Sequence, residues 1–317
     1  MLRVVPATRS RLVTALNVLY FAMPPEERAV RVAESAQAAA SGELDLSRLL
    51  LAEFNGEPIG ALVVRMQPSD VAFVWPPIVS PLSRREPTLT SEQIEDALLQ
   101  AAVHGLDESN AHIAQSLLEL NQSCEGTALL RNGFNHLTDL KFFERPLTRE
   151  DDVKDRITGE ARGRSAFIPY RRAHNRLRFA NVIEQTYRGS LDCPEMNGIR
   201  SASQSLKVYE AAGPVAPNMW RLYREGIDDA GVMLIVERSD QNAWEVIYLG
   251  VIESARRKGI ARTMLKDALQ AAHKAQVERV LIVVDTRNLP AIRLYESLGF
   301  TQFDVRAAYV RLQQTSR

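Results

Sequence analysis

Apolar positions along the chain switch between a two-residue and a three-to-four-residue period, and the switches mark the elements. Leu2 to Val5 reads as a short strand, and Arg9 to Phe21 and Glu26 to Ala40 read as helices, the second amphipathic. A meander of three strands follows at Leu49 to Phe54, Pro58 to Met66 and Val71 to Val79, with Asn55-Gly56 as a hairpin turn between the first two. Next comes a helix capped by Ser91, with Ile94, Ala97, Leu98 and Ala101 on one face. A strand at Ser116 to Leu120, a helix at Glu125 to Asn132 and a strand at Phe134 to Phe143 close the first half.

Residues 145–164 break the rhythm, because roughly half are charged and aliphatic side chains are sparse, as in a solvated connector. The order of elements then repeats. A strand at Ala166 to Arg171 precedes helices at Asn175 to Arg188 and Ser201 to Ala212. Strands at Met219 to Glu225, Gly231 to Arg238 and Trp244 to Val251 lead to a helix from Gly259 to Ala275. A strand at Arg279 to Asp285, a helix at Pro290 to Leu298 and a strand from Phe300 to Leu312 complete the pattern. An offset of about 166 residues lays Gly133-Phe134 on Gly299-Phe300, each pair ending a helix and opening a final strand. The expected fold is α+β, with two tandem domains at 1–147 and 166–317 joined by a charged linker at 148–165, each a mixed, mainly antiparallel sheet flanked by helices.

Composition narrows the function. The 317 residues carry 39 basic and 39 acidic side chains and are 45% hydrophobic, an ordinary globular balance with no global field to recruit nucleic acid or an anionic membrane. Uncharged stretches such as Val71 to Ser83, which holds three prolines, fall far short of the ~20 apolar residues of a membrane helix. The opening residues Met1-Leu2-Arg3-Val4-Val5-Pro6 have no apolar core or small-residue cleavage site, so a cytoplasmic location is expected. Cys124 and Cys193 are the only two cysteines, and the five histidines are scattered, so neither a disulfide framework nor a metal site is expected.

The most informative segment is Val246 to Leu269. An apolar strand ends at Leu249-Gly250-Val251 and passes through Ile252-Glu253-Ser254-Ala255 into Arg256-Arg257-Lys258-Gly259-Ile260-Ala261. A helix follows at once, with Met264, Leu265, Ala268, Leu269 and Ala272 on one face. Free backbone N–H groups and the positive end of the helix dipole make an anion site there, and Gly259 lets a phosphate approach without a Cβ in the way. A basic, solvated turn is the plain alternative for such a run taken alone. No Gly-x-x-x-x-Gly-Lys-Ser/Thr or Gly-x-Gly-x-x-Gly is present to suggest other phosphate folds.

Val251 followed by Arg256-Arg257-Lys258-Gly259-Ile260-Ala261 resembles the pyrophosphate loop of the GCN5-related N-acetyltransferases (GNAT), with Glu253 where proline is common. A second stretch, from Val283 to Phe300, resembles that superfamily's next motif: a strand, Asn288, Ala291, Ala291's helical neighbours through Tyr295, then Gly299-Phe300. The resemblance implies a tandem GNAT-like architecture and acetyl-CoA as cosubstrate, with no metal. It implies that Leu249, Val251, Arg256, Arg257, Lys258, Gly259, Ile260, Ala261 and Asn288 hold the cofactor, through the parting of the strands that end at Val251 and Asp285. It also implies direct attack by an amine on the thioester, with Tyr295 assisting the leaving sulfur. Glu245 and Tyr248, on the strand leading to Val251, are the nearest candidates to take the amine proton. Read alone, Asn288 is a helix-start residue and Tyr295 a core aromatic.

In this superfamily the helices after the first strand grip the acceptor. Their connection here runs from Tyr187 to Arg200, and Tyr187, Asp192 and Glu195 are placed to hold a cationic amine. Cys193 has no basic neighbour in sequence to activate it. The first half lacks the chemistry: no glycine occurs from Ala61 to His104 to complete a loop at Arg84-Arg85, and Leu129 and Gln122 stand where Tyr295 and Asn288 stand in the second. It reads as a degenerate repeat, an outline that resembles mycothiol synthase without any motif for that substrate. The expected function is N-acetyltransfer to a small-molecule or protein amine, by a monomer or homodimer, with no nucleic-acid or membrane partner. A catalytically silent acyl-CoA-binding module is the alternative, separable by whether any amine is turned over.

Overall fold

The computed structural model describes residues 1–42, 44–67, 71–81, 89–109, 111–148, 165–216 and 218–313. The chain forms two compact units, Met1–Leu137 with Arg306–Arg317, and Thr138–Val305.

The first unit opens with β1 (Leu2–Pro6), a 3-10 turn at Arg9–Arg11, α1 (Leu12–Leu19) and α2 (Pro25–Ser41). β2 (Leu49–Phe54) and β3 (Glu57–Gln67) follow as a hairpin, with Asn55 and Gly56 both at positive φ, as the Asn-Gly turn requires. The expected third strand is two pieces, β4 (Val71–Val74) and β5 (Ile78–Val79), which pair with different parts of β3. Pro76 and Pro77 lie between them and supply no N–H to a ladder. α3 (Ser91–Asp107), β6 (Ile113–Glu119), α4 (Ser123–Arg131) and β7 (Asn135–Pro146) complete the run. The cap of α3 is Thr90, not Ser91: Thr90 Oγ1 accepts the Gln93 N–H and Gln93 Oε1 accepts the Thr90 N–H, a capping box. β3 is buried on both faces. Leu62 and Val64 pack with Ile94, Leu98 and Leu99 of α3, and Ala61 and Val63 pack with Ala15 and Leu16 of α1.

The second unit carries β8 (Ser165–Pro169), α5 (Arg172–Tyr187), α6 (Ala202–Glu210), β9 (Arg221–Glu225), β10 (Asp228–Arg238), β11 (Ala243–Val251), α7 (Ile260–Lys274), β12 (Arg279–Asp285), α8 (Leu289–Glu296) and β13 (Thr301–Leu312). Its sheet runs β8-β9-β10-β11-β12-β7, antiparallel except for the parallel β11–β12 pair. β10 is the central strand: Val232 and Leu234 face α5 and α6, while Met233 and Ile235 face α7. α7 buries Ile260, Met264, Leu265, Ala268, Leu269 and Ala272 on its inner stripe, each large side chain contributing ~1.5–3 kcal/mol.

The units divide the chain elsewhere than at the expected 147 and 166. β7 pairs with β12 from Leu140↔Asp285 to Pro146↔Arg279, so this strand belongs to the second unit. The later part of β13 pairs with β6 from Arg306↔Glu119 to Leu312↔Ile113, so it belongs to the first. The centre of the expected charged linker lies outside the described residues, as does the Arg84-Arg85 pair. No described helix is long and apolar enough to cross a membrane.

Candidate active site

The parallel pairing of β11 with β12 covers only Ala243↔Arg279 to Val246↔Ile282. Beyond that point the two strands are no longer partners, and a cavity of about 990 Å³ lies at their ends. A β-bulge starts the separation. Leu234 faces Tyr248 across the β10–β11 ladder but Ile235 faces Val246, which leaves Ile247 as the extra residue. Trp244, Val246, Leu249 and Val251 therefore share one face, while Ile247 and Tyr248 both turn to the α5–α6 side. Ile252 donates its N–H to Ala230 of β10 at 3.0 Å, so by alternation the N–H groups of Leu249 and Val251 turn the other way, into the opening.

After β11 the chain makes a 3-10 turn at Glu253–Ala255 and reaches α7 through Arg257 (φ 63°) and Gly259 (φ 80°), both left-handed. From Arg257 to Arg262 the backbone N–H groups meet no acceptor among the described residues. Arg257, Gly259, Ile260, Ala261 and Arg262 line the cavity, and a Cβ built on Gly259 would meet nothing within 4 Å. Six donors in succession at the N-terminus of a packed helix fit a pyrophosphate.

Tyr295 and Asn288 stand across the opening. Tyr295 is 6% exposed, wedged between Phe143 and Phe300, and still contributes to the cavity wall. Burial, and then the carboxylate of Asp192, push its phenol above the ordinary tyrosine value, so it keeps its proton. Asn288 caps α8, its Oδ1 accepting the Ala291 N–H at 3.3 Å, and it lines the cavity with Asp192. The helix-start role and the cavity-lining role thus coexist in this residue.

Residues 222–300 match the model of the acetyltransferase (GNAT) family. A mycothiol acetyltransferase from Thermobispora bispora is 36% identical over 75 residues, which cover 24% of this chain and 25% of that protein. The chain thus spans about a quarter of the length of the curated relatives it matches. A GCN5-related N-acetyltransferase from Sphaerobacter thermophilus superposes with a TM-score of 0.62 at 15% identity, over 98% of this chain and 95% of that one. A tandem GNAT protein from the clavulanic acid biosynthesis pathway gives a TM-score of 0.51 at 14% identity over the full length of both. At such identities the two structures speak for the fold alone: a mixed sheet flanked by helices.

Within the second unit several expected site residues have other work. Glu245 lies before the bulge, takes the Arg238 guanidinium at 2.5 Å and does not line the cavity, so it is not placed to take a proton there. Tyr248 does face the cavity, but burial raises its phenol well above the ordinary value and its hydroxyl is 2.6 Å from Thr186 Oγ1. It stays protonated at neutral pH and serves as wall. Glu195 is outside the cavity, held by Arg287 at 2.5 and 2.9 Å. The Arg256 side chain donates to the carbonyls of Val251, Thr186, Arg188 and Gly189, which ties the end of α5 to the end of β11. Its contribution to an anion site is to set the loop. Lys258 pairs with Glu225 at 3.0 Å on the surface and is not among the cavity residues.

Asp192 and Tyr187 are in the wall. Burial pushes the Asp192 carboxyl above the usual carboxylate range, against the pull of the Asp285 N–H and the Asn288 amide. The same desolvation pushes the Cys193 thiol up to about 12, which removes it as a nucleophile. Sequence reasoning missed Tyr209 and Arg200, which also line the cavity. Tyr187 was visible as the end of a helix, whereas Tyr209 meets Tyr248 (ring centroids 5.3 Å apart) only through the packing of α6 on β11. In the first unit, Leu129 is fully buried and the Gln122 side chain accepts the Glu119 N–H at 2.9 Å, so the counterparts of Tyr295 and Asn288 are structural.

Proposed function

We propose that the chain is an acetyl-CoA-dependent N-acetyltransferase whose second unit carries the chemistry and whose first unit is a degenerate, non-catalytic repeat. The observation that supports this most is the meeting, in one cavity, of the free N–H groups at the start of α7, the opening between β11 and β12, and the protonated Tyr295. Bound acetyl-CoA would supply a thioester whose carbonyl carbon is electrophilic.

The N–H groups from Arg257 to Arg262 would hold a pyrophosphate, and those of Leu249 and Val251 would pair with the amides of a pantetheine arm. Asn288 orients Asp192 and the arm together. An amine attacks directly in a ternary complex: the N–C bond forms, the C–S bond breaks, and the proton lost by nitrogen is balanced by one gained by sulfur. Asp192 replaces Glu245 as the group beside the amine, because its carboxylate borders the cavity and is raised above the usual carboxylate range. Tyr295 donates its hydrogen bond to the leaving sulfur. Full proton transfer from an ordinary phenol to a thiolate is uphill by ~1.5 pKa units, about 2 kcal/mol, so donation late in the step is the better description.

The test is a calorimetric titration with acetyl-CoA, using Gly259→Glu as control. Saturable binding lost in the variant is the expected result, followed by thiol release when amines are added. Absence of binding to the parent protein would overturn the reading, and binding with no turnover on a broad amine panel would leave an acyl-CoA-binding module.

A further inference from the structure

Arg200 ends the connection between α5 and α6 and borders the cavity beside Tyr187, Ser205 and Tyr209. Its Nη1 is buried with no hydrogen-bond partner, and the Arg200 side chain is in no ion pair among the described residues. That sets it apart from Arg256 and Arg287, whose guanidinium groups are spent on carbonyls and carboxylates. A buried cationic nitrogen without an acceptor is costly to keep, and one that borders a cavity can be satisfied by a ligand that enters it.

The surroundings say which acceptor. Tyr187, Ser205 and Tyr209 share the cavity wall, and burial keeps both phenols neutral, so none of these groups offers Arg200 a negative charge. Glu184 is committed to the N–H of Ala202 at 3.1 Å. The missing charge must arrive with the ligand, and one guanidinium fork with flanking hydroxyls suits a carboxylate. The opposite charge is already in the same cavity, in the carboxylate of Asp192, which the Asp285 N–H holds at 2.9 Å. Tyr248 links the two ends: its ring packs on Tyr187 and Tyr209, the phenols beside Arg200, and it also feels the charge of Asp192.

We infer that the acceptor is a small amine that bears its own carboxylate, with the amine at Asp192 and the carboxylate on Arg200. This rests on the acetyl-transfer reading of the cavity and adds the acceptor class to it. It disfavours lysine side chains and internal protein amines, which have no free carboxylate beside the nitrogen.

The experiment compares matched amines in an acetyl-CoA-dependent thiol-release assay: lysine with cadaverine, phenylalanine with phenethylamine, tyrosine with tyramine. The carboxylated member of the preferred pair is expected to have the higher kcat/KM by about 100-fold, the discrimination a buried charge partner supplies. Arg200→Gln should remove most of that preference through KM while the calorimetric affinity for acetyl-CoA stays unchanged. Equal turnover within every pair, a preference for the matching aminophosphonate, or equal losses on both members in Arg200→Gln would overturn the proposal. If no pair reacts, saturable binding of the carboxylated amines to the acetyl-CoA-loaded protein, lost in Arg200→Gln, still supports it, and no such binding overturns it. Failure of the parent protein to bind acetyl-CoA would instead remove the reading beneath it, and the acceptor class would fall with that reading.

Discussion

The backbone N–H of Asp285 donates to Asp192 Oδ1 at 2.9 Å, and the Asp285 carboxylate takes the N–H of the next residue, Cys193, at 3.0 Å. These reciprocal bonds fasten the connection between α5 and α6 to the end of β12. Thr138 Oγ1 and the Arg287 guanidinium complete the shell around Asp285, which is fully buried, and Arg287 reaches on to Glu195 of the same connection. The wall of the cavity that carries Asp192 is thereby held by one carboxylate.

Acid should release this latch. Burial works against the Asp285 charge, but the donors of Arg287, Thr138 and Cys193 outweigh it and hold the carboxyl below its usual range. A depressed carboxyl stabilises the fold above its unfolded value of about 3.9 and loses that contribution as pH falls through the folded value. Asp285→Asn is expected to lower stability at pH 7 by ~3 kcal/mol, from an unpaired Arg287 and lost N–H acceptors, and to flatten the acid side of a Tm-against-pH curve. A Tm profile unchanged from the parent would contradict the latch.

Asp192 should show the opposite displacement. Its carboxyl is raised by burial, so the acid limb of kcat/KM for the acceptor is expected above the usual carboxylate range, activity falling as the group takes up a proton. Asp192→Asn should abolish that limb and lower kcat. Stopped-pH kinetics with saturating acetyl-CoA would decide it; an acid limb that survives the substitution assigns it to another group.

Tyr295→Phe removes one hydroxyl and leaves the ring packed between Phe143 and Phe300. We expect kcat to fall ~10²-fold with the affinity for acetyl-CoA and the Tm little altered. A variant as fast as the parent would make Tyr295 a core aromatic alone.

Two glycines should respond differently to alanine. A Cβ on Gly250 would stand 2.7 to 2.9 Å from three atoms of Thr186, so Gly250→Ala must push α5 off β11 and is expected to cost ~1–3 kcal/mol. At Gly259 there is open space, and Gly259→Ala pays only the left-handed backbone, about 1 kcal/mol. Denaturant unfolding of the two variants gives the comparison directly, and a Gly259→Ala as damaged as Gly250→Ala would show that the loop is packed after all.

Most of the fold is legible in the residues, because the central strands β3, β10 and β11 are apolar runs and helices such as α3 and α7 carry a buried stripe. The departures have local causes. Pro76 and Pro77 split one expected strand, and Thr90 caps where Ser91 was expected because Gln93 completes the box from that position. The strand partition could not be read: which unit claims β7 and the later part of β13 depends on pairings between segments far apart in sequence. The site was legible where backbone conformation makes it, at Gly259 and the helix behind it. Side-chain roles were less so. Glu245 falls on the wrong side of a bulge that strict alternation cannot anticipate, and Arg256, Lys258 and Glu195 found protein partners that spacing does not disclose.

The placement of Arg306–Leu312 beside β6 bears on how the chain is made. During synthesis the first unit emerges early yet lacks a neighbour for one side of β6 until the second unit has left the ribosome. Its nascent sheet therefore waits with an open edge, and the unit begun first is the one finished last.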